Sequence, residues 1–354
     1  MKKISIDSLV GGEKLAKEIC TSNGLVLVPT GSIIKYEYIQ KMRELNIDEV
    51  YIESEKNCKE QKIEENLLQE SILQERCKYM VKETLEKYSY CASQELEEIT
   101  MVADQIMEDV LSQPEVMYNV SYVKEKSETT YSHSVKVSSL SVLIALKMGL
   151  SKQRVRDIAI GALLHDLGMV YLPFSCENLV YEECSEEQKK EIRKHTITGF
   201  TMIESEKWLS NVAREIILSH HEREDGSGYP MRLEKNKVRL ETKIVSLCDE
   251  FDKRVYGYVS KVQKVHDVID YIVSQAGRKF DLNVVRKFIE SVAVYPIGTY
   301  VKTNTNEIGV VVRQNNKMPT RPVIKIIGKG QREPLYRDLV EELTIFIKDT
   351  IDIA

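Results

Sequence analysis

The sequence predicts a mainly α-helical protein, with a small α+β unit before the helical region and a small β-rich module after it. Three observations lead to this prediction. Apolar and polar residues alternate near the start, apolar residues recur every three or four positions from about residue 63, and β-branched runs separated by polar turns begin at Tyr295. The expected segments are the α+β unit 1–53, a linker and long helical segment 54–114, a helical domain 115–295 and a β-rich module 296–354.

Composition and charge limit the class of protein. The 354-residue chain has 42% hydrophobic and 30% charged residues, as an ordinary globular protein does. Its net charge of −5, without a long block of Lys or Arg, argues against binding of duplex nucleic acid. Seven cysteines without a CxxC pair are typical of reduced cytosolic thiols. The start lacks the apolar core of a signal peptide, and no apolar run approaches the ~20 residues that span a bilayer, so a cytoplasmic location is expected.

The first unit combines both kinds of secondary structure. Alternation around residues 25–28 leads to a turn at 29–31, a helix-like run covers 34–45, and a strand-like stretch ends the unit. The unit contains no histidine. The pattern fits a sensory or packing role for this unit and fits a role as a structural cap equally well.

The next segment is a long amphipathic helical pattern. Its apolar positions recur at helical spacing over 63–112 and stop before Pro114. Most of them should form the core of a helical domain. The same apolar face also fits a homodimer, because paired helices use the same pattern.

The most informative stretch is His220–Pro230, which reads HHEREDGSGYP. Its two histidines end an apolar helical run, and the glycines that follow allow a tight loop. Alone, a histidine pair is weak support for a metal site. Further imidazoles and carboxylates in the same helical region complete a series of seven N and O donors: His133, His165, Asp166, His195, His220, His221 and Asp249. Seven such donors exceed the needs of one ion and suit two ions bridged by a carboxylate, without a thiolate.

At this point the sequence resembles the HD-GYP family, metal-dependent phosphodiesterases that hydrolyse cyclic di-GMP. The resemblance rests on GALLHDLG, on HHEREDGSGYP and on the positions of the other donors, and it covers about 115–296. It implies that one ion is held by His133, His165, Asp166 and Asp249, and the other by His195, His220 and His221, with Asp166 as the bridge. His165 and Asp166 are the expected catalytic pair, acting on a hydroxide held between two divalent ions. Fe or Mn is favoured, with Zn, Ni or Mg as alternatives.

The loop after the histidine pair is the expected substrate contact. The residues expected to bind the nucleotide or shape its pocket are Arg223, Gly226, Gly228, Tyr229 and Pro230. Structural roles are the alternatives. Arg223 is explained equally well as one half of a structural ion pair with Glu222 or Glu224. Tyr229 can simply anchor the loop, and Gly226 and Gly228 can serve only as turn residues.

Three departures from the family pattern concern phosphate binding. The usual HD-motif lysine is Met169, an acidic loop FSCENLVYEEC replaces a lysine-bearing one, and the arginine expected after the last aspartate is Tyr258. Arg254, Lys253 or Lys261 are candidates to replace it. A carboxylate found in trimetal members is Thr129 here, so two ions are expected.

Two classes of function therefore compete. The first is a dimetal phosphodiesterase that converts cyclic di-GMP to pGpG or GMP, slowed by the loss of the lysine. The second is a weak or inactive cyclic di-GMP receptor. A phosphohydrolase acting on another cyclic dinucleotide or phosphoester is a third alternative. A diguanylate cyclase or another signalling protein is a candidate partner.

Overall fold

A computed structural model describes most of the chain: residues 2–6, 15–20, 26–34, 38, 39, 42, 47, 49–52, 75–85, 96–112, 130–176, 179–315, 318–327 and 335–351. The chain divides into two compact units, residues 1–80 and 81–354. The domain boundaries expected from the sequence stay a prediction.

The first unit contains two small antiparallel pairs of strands. β1 (Lys2–Ser5) pairs with β4 (Glu49–Ile52), and β2 (Ile19–Cys20) pairs with β3 (Val26–Val28). Gly31 takes a positive φ of 83° in the turn predicted after β3. Of the helix predicted over 34–45, residues 38, 39 and 42 are helical, and most of its other positions lie outside the described residues. Apolar residues from these elements form the core of this unit, as the alternating pattern predicts.

The second unit begins with helices. They are α1 (Ile99–Ser112), α2 (Thr130–Lys147), α3 (Lys152–Leu164), α4 (Glu186–Met202), α5 (Asn211–Ser219), α6 (Leu240–Tyr256), α7 (Val265–Ser274) and α8 (Leu282–Ile289). Residues 81–85, at the start of this unit, are helical as well. α2 packs against α3 and α6, and α3 also packs against α1 and α5. Most of α2 is buried because neighbours cover it on several sides. The mainly α fold class is confirmed.

Local capping determines where these helices begin and end. Ser185 and Gln188 form a capping box at the start of α4, and the Ser210 hydroxyl accepts the amide N–H of Ala213 at the start of α5. Gly257 ends α6 in the left-handed conformation, with φ of 72°. These caps set the registers of the helices that carry His195, His220 and Asp249.

The second unit ends with a five-stranded antiparallel sheet. Its strands are β5 (Tyr300–Thr303), β6 (Ile308–Arg313), β7 (Val323–Ile326), β8 (Leu335–Asp338) and β9 (Ile347–Thr350), in the order β8-β7-β6-β5-β9. Val301, Val311 and Ile324 lie in its buried core. The Lys264 ammonium donates to the Thr350 carbonyl at 3.3 Å, which joins the sheet to the helical part. The β-rich end predicted by the sequence is confirmed.

Candidate metal centre

The seven predicted donors come together from five helices. His133 lies on α2, His165 and Asp166 follow α3, His195 lies on α4, His220 and His221 follow α5, and Asp249 lies on α6. All seven are buried. Residues far apart in the sequence therefore form one compact cluster, here called the donor cluster.

The His165–Asp166 pair lies at a helix end and not within a helix. α3 ends at Leu164, and Asp166 precedes a 3-10 helix, Leu167–Tyr171. The turn can form because Gly168 approaches the backbone of α4: a Cβ on Gly168 would lie 2.0 Å from the carbonyl oxygen of His195. This close approach brings Asp166 to the helix that carries His195.

The donor cluster consists of two groups. His133, His165 and Asp249 form one group, the trio, and Asp166, His195, His220 and His221 form the other, the quartet. Within each group, one donor atom per residue lies within 4.8 Å of the others.

The two carboxylate oxygens of Asp166 face different groups. Its Oδ1 lies 3.2 Å from Nε2 of His195 and 3.5 Å from Nε2 of His220. Its Oδ2 lies 3.6 Å from Nε2 of His165 and 3.8 Å from Nε2 of His133. A carboxylate in this position is suited to bridge two cations.

Hydrogen bonds at Nδ1 fix the orientation of three of these histidine rings. Nδ1 of His165 donates to the Ala162 carbonyl at 2.7 Å, and Nδ1 of His195 and of His220 also meet carbonyl oxygens of their own helices. A carbonyl only accepts, so Nδ1 of each ring carries a proton, and Nε2 is the atom that faces the other donors. Nε2 of His195 faces Nε2 of His220 at 3.2 Å. When both rings are neutral, these two atoms carry lone pairs that repel each other at this distance, and a shared cation relieves the repulsion.

The carboxylates of Asp166 and Asp249 and the His220 imidazole are in the charge states that metal ligands need. Burial raises the pKa of Asp166, but His165 and Lys253 outweigh it and hold the pKa well below its usual value. Lys253 and His133 do the same for Asp249. Burial lowers the pKa of His220 to about 3, so its imidazole is neutral at pH 7.

His133 differs from the quartet histidines. Burial opposes its protonation, but hydrogen bonds to Asp249 and Asp252 outweigh burial and raise its pKa to about 9. In the metal-free protein it is therefore protonated at pH 7. Cation binding at the trio must displace this proton.

Unpaired buried oxygens show that the donor cluster fits divalent ions. Within the described part of the chain, both carboxylate oxygens of Asp166 and Oδ2 of Asp249 are buried without a hydrogen-bond partner of adequate geometry. Ionised carboxylates in this state cost several kcal/mol unless a cation compensates them. Imidazole nitrogens and carboxylates together suit Fe, Mn or Zn. The cluster can thus hold divalent metal ions.

Sequence reasoning missed two carboxylates that hold this site in place. Asp252 accepts a hydrogen bond from Nδ1 of His133 at 2.6 Å and so orients the ring. It lies three residues after Asp249 on α6, and this helical spacing was the available signal. Glu222 is buried and accepts the amide N–H of Met231 at 2.7 Å and of Leu233 at 2.8 Å. It thereby closes the loop that follows the histidine pair.

The loop residues expected to contact substrate lie beside the quartet. The Tyr229 ring is half-buried and stacks on the His221 ring, with centroids 4.6 Å apart. Pro230 follows it through a cis peptide bond. Gly226 takes φ of 71°, and a Cβ on Gly228 would lie 2.4 Å from the His221 carbonyl oxygen. These geometries require glycines for turning and close approach, and they place the loop at the donor cluster.

Arg223 is bound within the protein, but not by the acids that the sequence suggested. Its guanidinium pairs with Glu250 at 2.9 Å and lies over the Phe280 ring at 5.3 Å. Glu224 instead pairs with Lys243 at 2.7 Å. The alternative of a pair with Glu222 or Glu224 was wrong, because α6 presents a carboxylate that local sequence does not show.

Met169 and Tyr258, two of the departures from the family pattern, lie in one apolar cluster. Both are buried and pack with Ile192 and Val259. Tyr258 also stacks on the His133 ring at 4.3 Å, and its hydroxyl meets that of Thr130 at 3.0 Å. At these two positions, where the family pattern has cationic side chains, the protein has an apolar cluster beside the trio.

The sixth histidine lies outside the donor cluster. His266 is half-buried, with Nε2 3.5 Å from Oδ1 of Asp267. Among the described residues, no helix has the length and apolar character needed to cross a membrane.

Comparison with known proteins places most of the second unit in recognised families. Residues 117–284 match the HD domain family, and residues 300–354 match a KOW domain associated with HD domains. A cyclic di-GMP phosphodiesterase of Pseudomonas aeruginosa is 28% identical over 245 residues, which are 68% of this chain and 58% of that protein. The cyclic di-GMP phosphodiesterase response regulator RpfG of Xanthomonas campestris is 34% identical over 148 residues, 41% of this chain and 39% of the relative. The chain thus spans 58% and 39% of the lengths of these two curated relatives.

Two further proteins widen the comparison. A 3'3'-cGAMP-specific phosphodiesterase of Vibrio cholerae is 27% identical over 217 residues, 59% of this chain and 40% of that protein. In structure, Bd1817, an HDG"Y"P protein from Bdellovibrio bacteriovorus, matches with a TM-score of 0.54 and 19% identity, covering 81% of this chain and 97% of the other. At this identity the structural match shows a shared fold.

Proposed function

Because the chain belongs to the HD-GYP family of HD-domain proteins, we propose that it is a dimetal phosphodiesterase that hydrolyses cyclic di-GMP to pGpG or GMP. One observation supports this proposal above the others: the two oxygens of Asp166 face separate groups of buried imidazole and carboxylate donors. A simple structural network of histidines does not need such a divided carboxylate.

The proposed ligand assignment follows the two groups. The trio would hold one ion and the quartet the other, with Asp166 shared between them. A pair of divalent ions supplies a nucleophile at neutral pH and neutralises charge on the phosphate. Fe or Mn is the proposed metal, because the donors are imidazole and carboxylate without thiolate.

The chain's own residues prepare this site. Backbone carbonyls hold His165, His195 and His220 with Nε2 directed into the donor cluster. Asp252 orients His133 in the same way. The proposed ligands therefore lie on helices or directly after helix ends, and this limits their movement.

The loop beside the quartet is the proposed nucleotide contact. Tyr229 and Pro230 lie next to His221, and Gly228 allows the loop backbone to approach it. Arg223 is paired with Glu250, so its proposed role is to shape the pocket together with Gly226.

The alternative is a cyclic di-GMP receptor with little or no turnover. The observation that favours it is the apolar cluster of Met169 and Tyr258 beside the trio, which offers no charge to a phosphate. The relative named for 3'3'-cGAMP leaves a different cyclic dinucleotide as a third proposal.

The test is anaerobic purification with Fe or Mn, followed by chromatography of cyclic di-GMP incubated with the loaded protein. We expect two ions per chain by elemental analysis and slow conversion to pGpG or GMP. Asp166→Asn should lose most of both metal and activity. Asp157→Asn is the matched control, since Asp157 is also buried and lies on α3, outside the donor cluster.

Two results would contradict the proposal. If no metal is bound after anaerobic reconstitution, the proposal of a dimetal site is refuted. If the fully loaded protein binds cyclic di-GMP tightly but does not turn it over, the receptor proposal replaces the enzyme proposal. Parallel incubation with 3'3'-cGAMP separates the substrates.

Partners of the chain are proposals as well. The apolar pattern over 63–112 supports a homodimer, and Met101 and Leu111 on α1 are exposed. A diguanylate cyclase or another signalling protein is the proposed heterologous partner, and duplex nucleic acid is not an expected ligand.

A further inference from the structure

Lys253 brings a positive charge into the donor cluster. It lies on α6 one turn after Asp249, with Nζ 3.0 Å from Oδ1 of Asp249 and 3.3 Å from Nε2 of His221. Asp249 belongs to the trio and His221 to the quartet. The ammonium therefore contacts both groups.

The other cations considered near the end of α6 are held elsewhere. Arg254 pairs with Glu250 at 2.7 Å and lies over the Tyr271 ring at 4.0 Å. Lys261 pairs with Glu183 at 2.8 Å, and its side chain is 68% exposed. Of these three side chains, the structure directs Lys253 to the donors.

The position of Lys253 also suits contact with a ligand. Its side chain is 18% exposed, while that of Asp249 is 0% exposed, so solvent reaches the Lys253 side chain but not the carboxylate beside it. A phosphodiester that spans the trio and the quartet carries a negative charge next to this point. Met169 and Tyr258 contribute no compensating charge there.

We propose that Lys253 binds the phosphate of the substrate. When Asp249 and His221 serve as metal ligands, their atoms no longer hold the ammonium, and its flexible four-carbon stem lets it turn to a non-bridging phosphate oxygen. The charge-assisted hydrogen bond formed there replaces the two contacts that it gives up. The inference rests on the proposed phosphodiesterase function for the identity of the substrate.

The experiment uses the full chain loaded with Mn and inorganic phosphate as the probe, measured by calorimetry. Lys253→Met should weaken phosphate binding at least tenfold at equal metal content, whereas Lys253→Arg should keep it within about threefold. Lys287→Met is the matched control, because Lys287 pairs with Glu290 on α8 and its loss should change phosphate binding less than twofold. Should Lys253→Met not fold, Lys253→Gln keeps a donor without the charge and should show the same loss.

Metal content separates a phosphate contact from a structural ion pair. If Lys253 only stabilises Asp249, its replacement changes the affinity for Mn and leaves phosphate binding per loaded site unchanged. That result overturns the inference, as does a loaded natural protein that binds no phosphate.

The proposed function can fail separately. A natural protein that binds phosphate through Lys253 but leaves cyclic di-GMP intact supports the phosphate contact and refutes the assigned activity. If Lys253→Met leaves both the hydrolysis of cyclic di-GMP and the binding of phosphate unchanged, the proposed activity is supported and the role of Lys253 is overturned.

Discussion

Gly168→Ala should disrupt the donor cluster without replacing any of its seven donor side chains. Gly168 lies two residues after Asp166, where the 3-10 helix crosses α4. A Cβ there would lie 2.0 Å from the His195 carbonyl oxygen and 2.8 Å from the Gly199 amide nitrogen. Both atoms belong to the backbone and cannot rotate away. The two segments must separate by about 1 Å before the shorter contact reaches 3.0 Å, below which Cβ contacts essentially do not occur.

The magnitude follows from that displacement. Overpacking of this kind costs about 1–3 kcal/mol of the free energy of unfolding. Metal–ligand distances tolerate only about 0.2 Å, so a shift of about 1 Å between Asp166 and His195 should weaken metal binding at the quartet about a hundredfold.

Competition with a chelator measures the Mn affinity, and urea unfolding measures stability. Gly149→Ala is the control: Gly149 has φ of 73° with nothing within 4 Å of an added Cβ. It should cost about 1–2 kcal/mol through backbone strain and leave metal binding unchanged. If Gly168→Ala binds two ions as tightly as Gly149→Ala, the close approach does not position the ligands and the reasoning is wrong.

Three further predictions concern the trio and its neighbours. Since hydrogen bonds outweigh burial and raise the pKa of His133 to about 9, binding of one of two Mn ions should strengthen about tenfold per pH unit from pH 6.5 to 8.5; chelator competition that is flat over this range would contradict it. Asp252→Asn should weaken Mn binding about 10–100-fold, since it removes the carboxylate that orients His133; equal affinity in the same assay would show that the ring needs no such support. Met169→Lys should lower the free energy of unfolding by about 1–3 kcal/mol in urea, because its head group enters an apolar cluster; an unchanged midpoint would mean that the ammonium reaches the donor cluster instead.

The sequence by itself determined the fold class and the chemical nature of the site. Helical periodicity and β-branched runs predict the helical region and the terminal sheet, because they report which side chains of a segment are buried. The seven donors stand out because an ordinary structural core does not need so many imidazoles and carboxylates. The motif HHEREDGSGYP predicts a helix end and a tight loop, and His220 does cap α5.

Only the tertiary structure decided how distant residues meet. His133 and Asp252 are 119 positions apart, and the structure joins them by a hydrogen bond of 2.6 Å. The clustering of Met169 with Tyr258, the pairing of Arg223 with Glu250 and the position of the Lys253 ammonium are likewise set by how helices pack. The physical reason is that periodicity shows which face of a helix is buried, while the partner that it meets depends on long-range packing. A long, flexible charged side chain adds several rotatable bonds, so its head group is positioned only by the atoms that surround it.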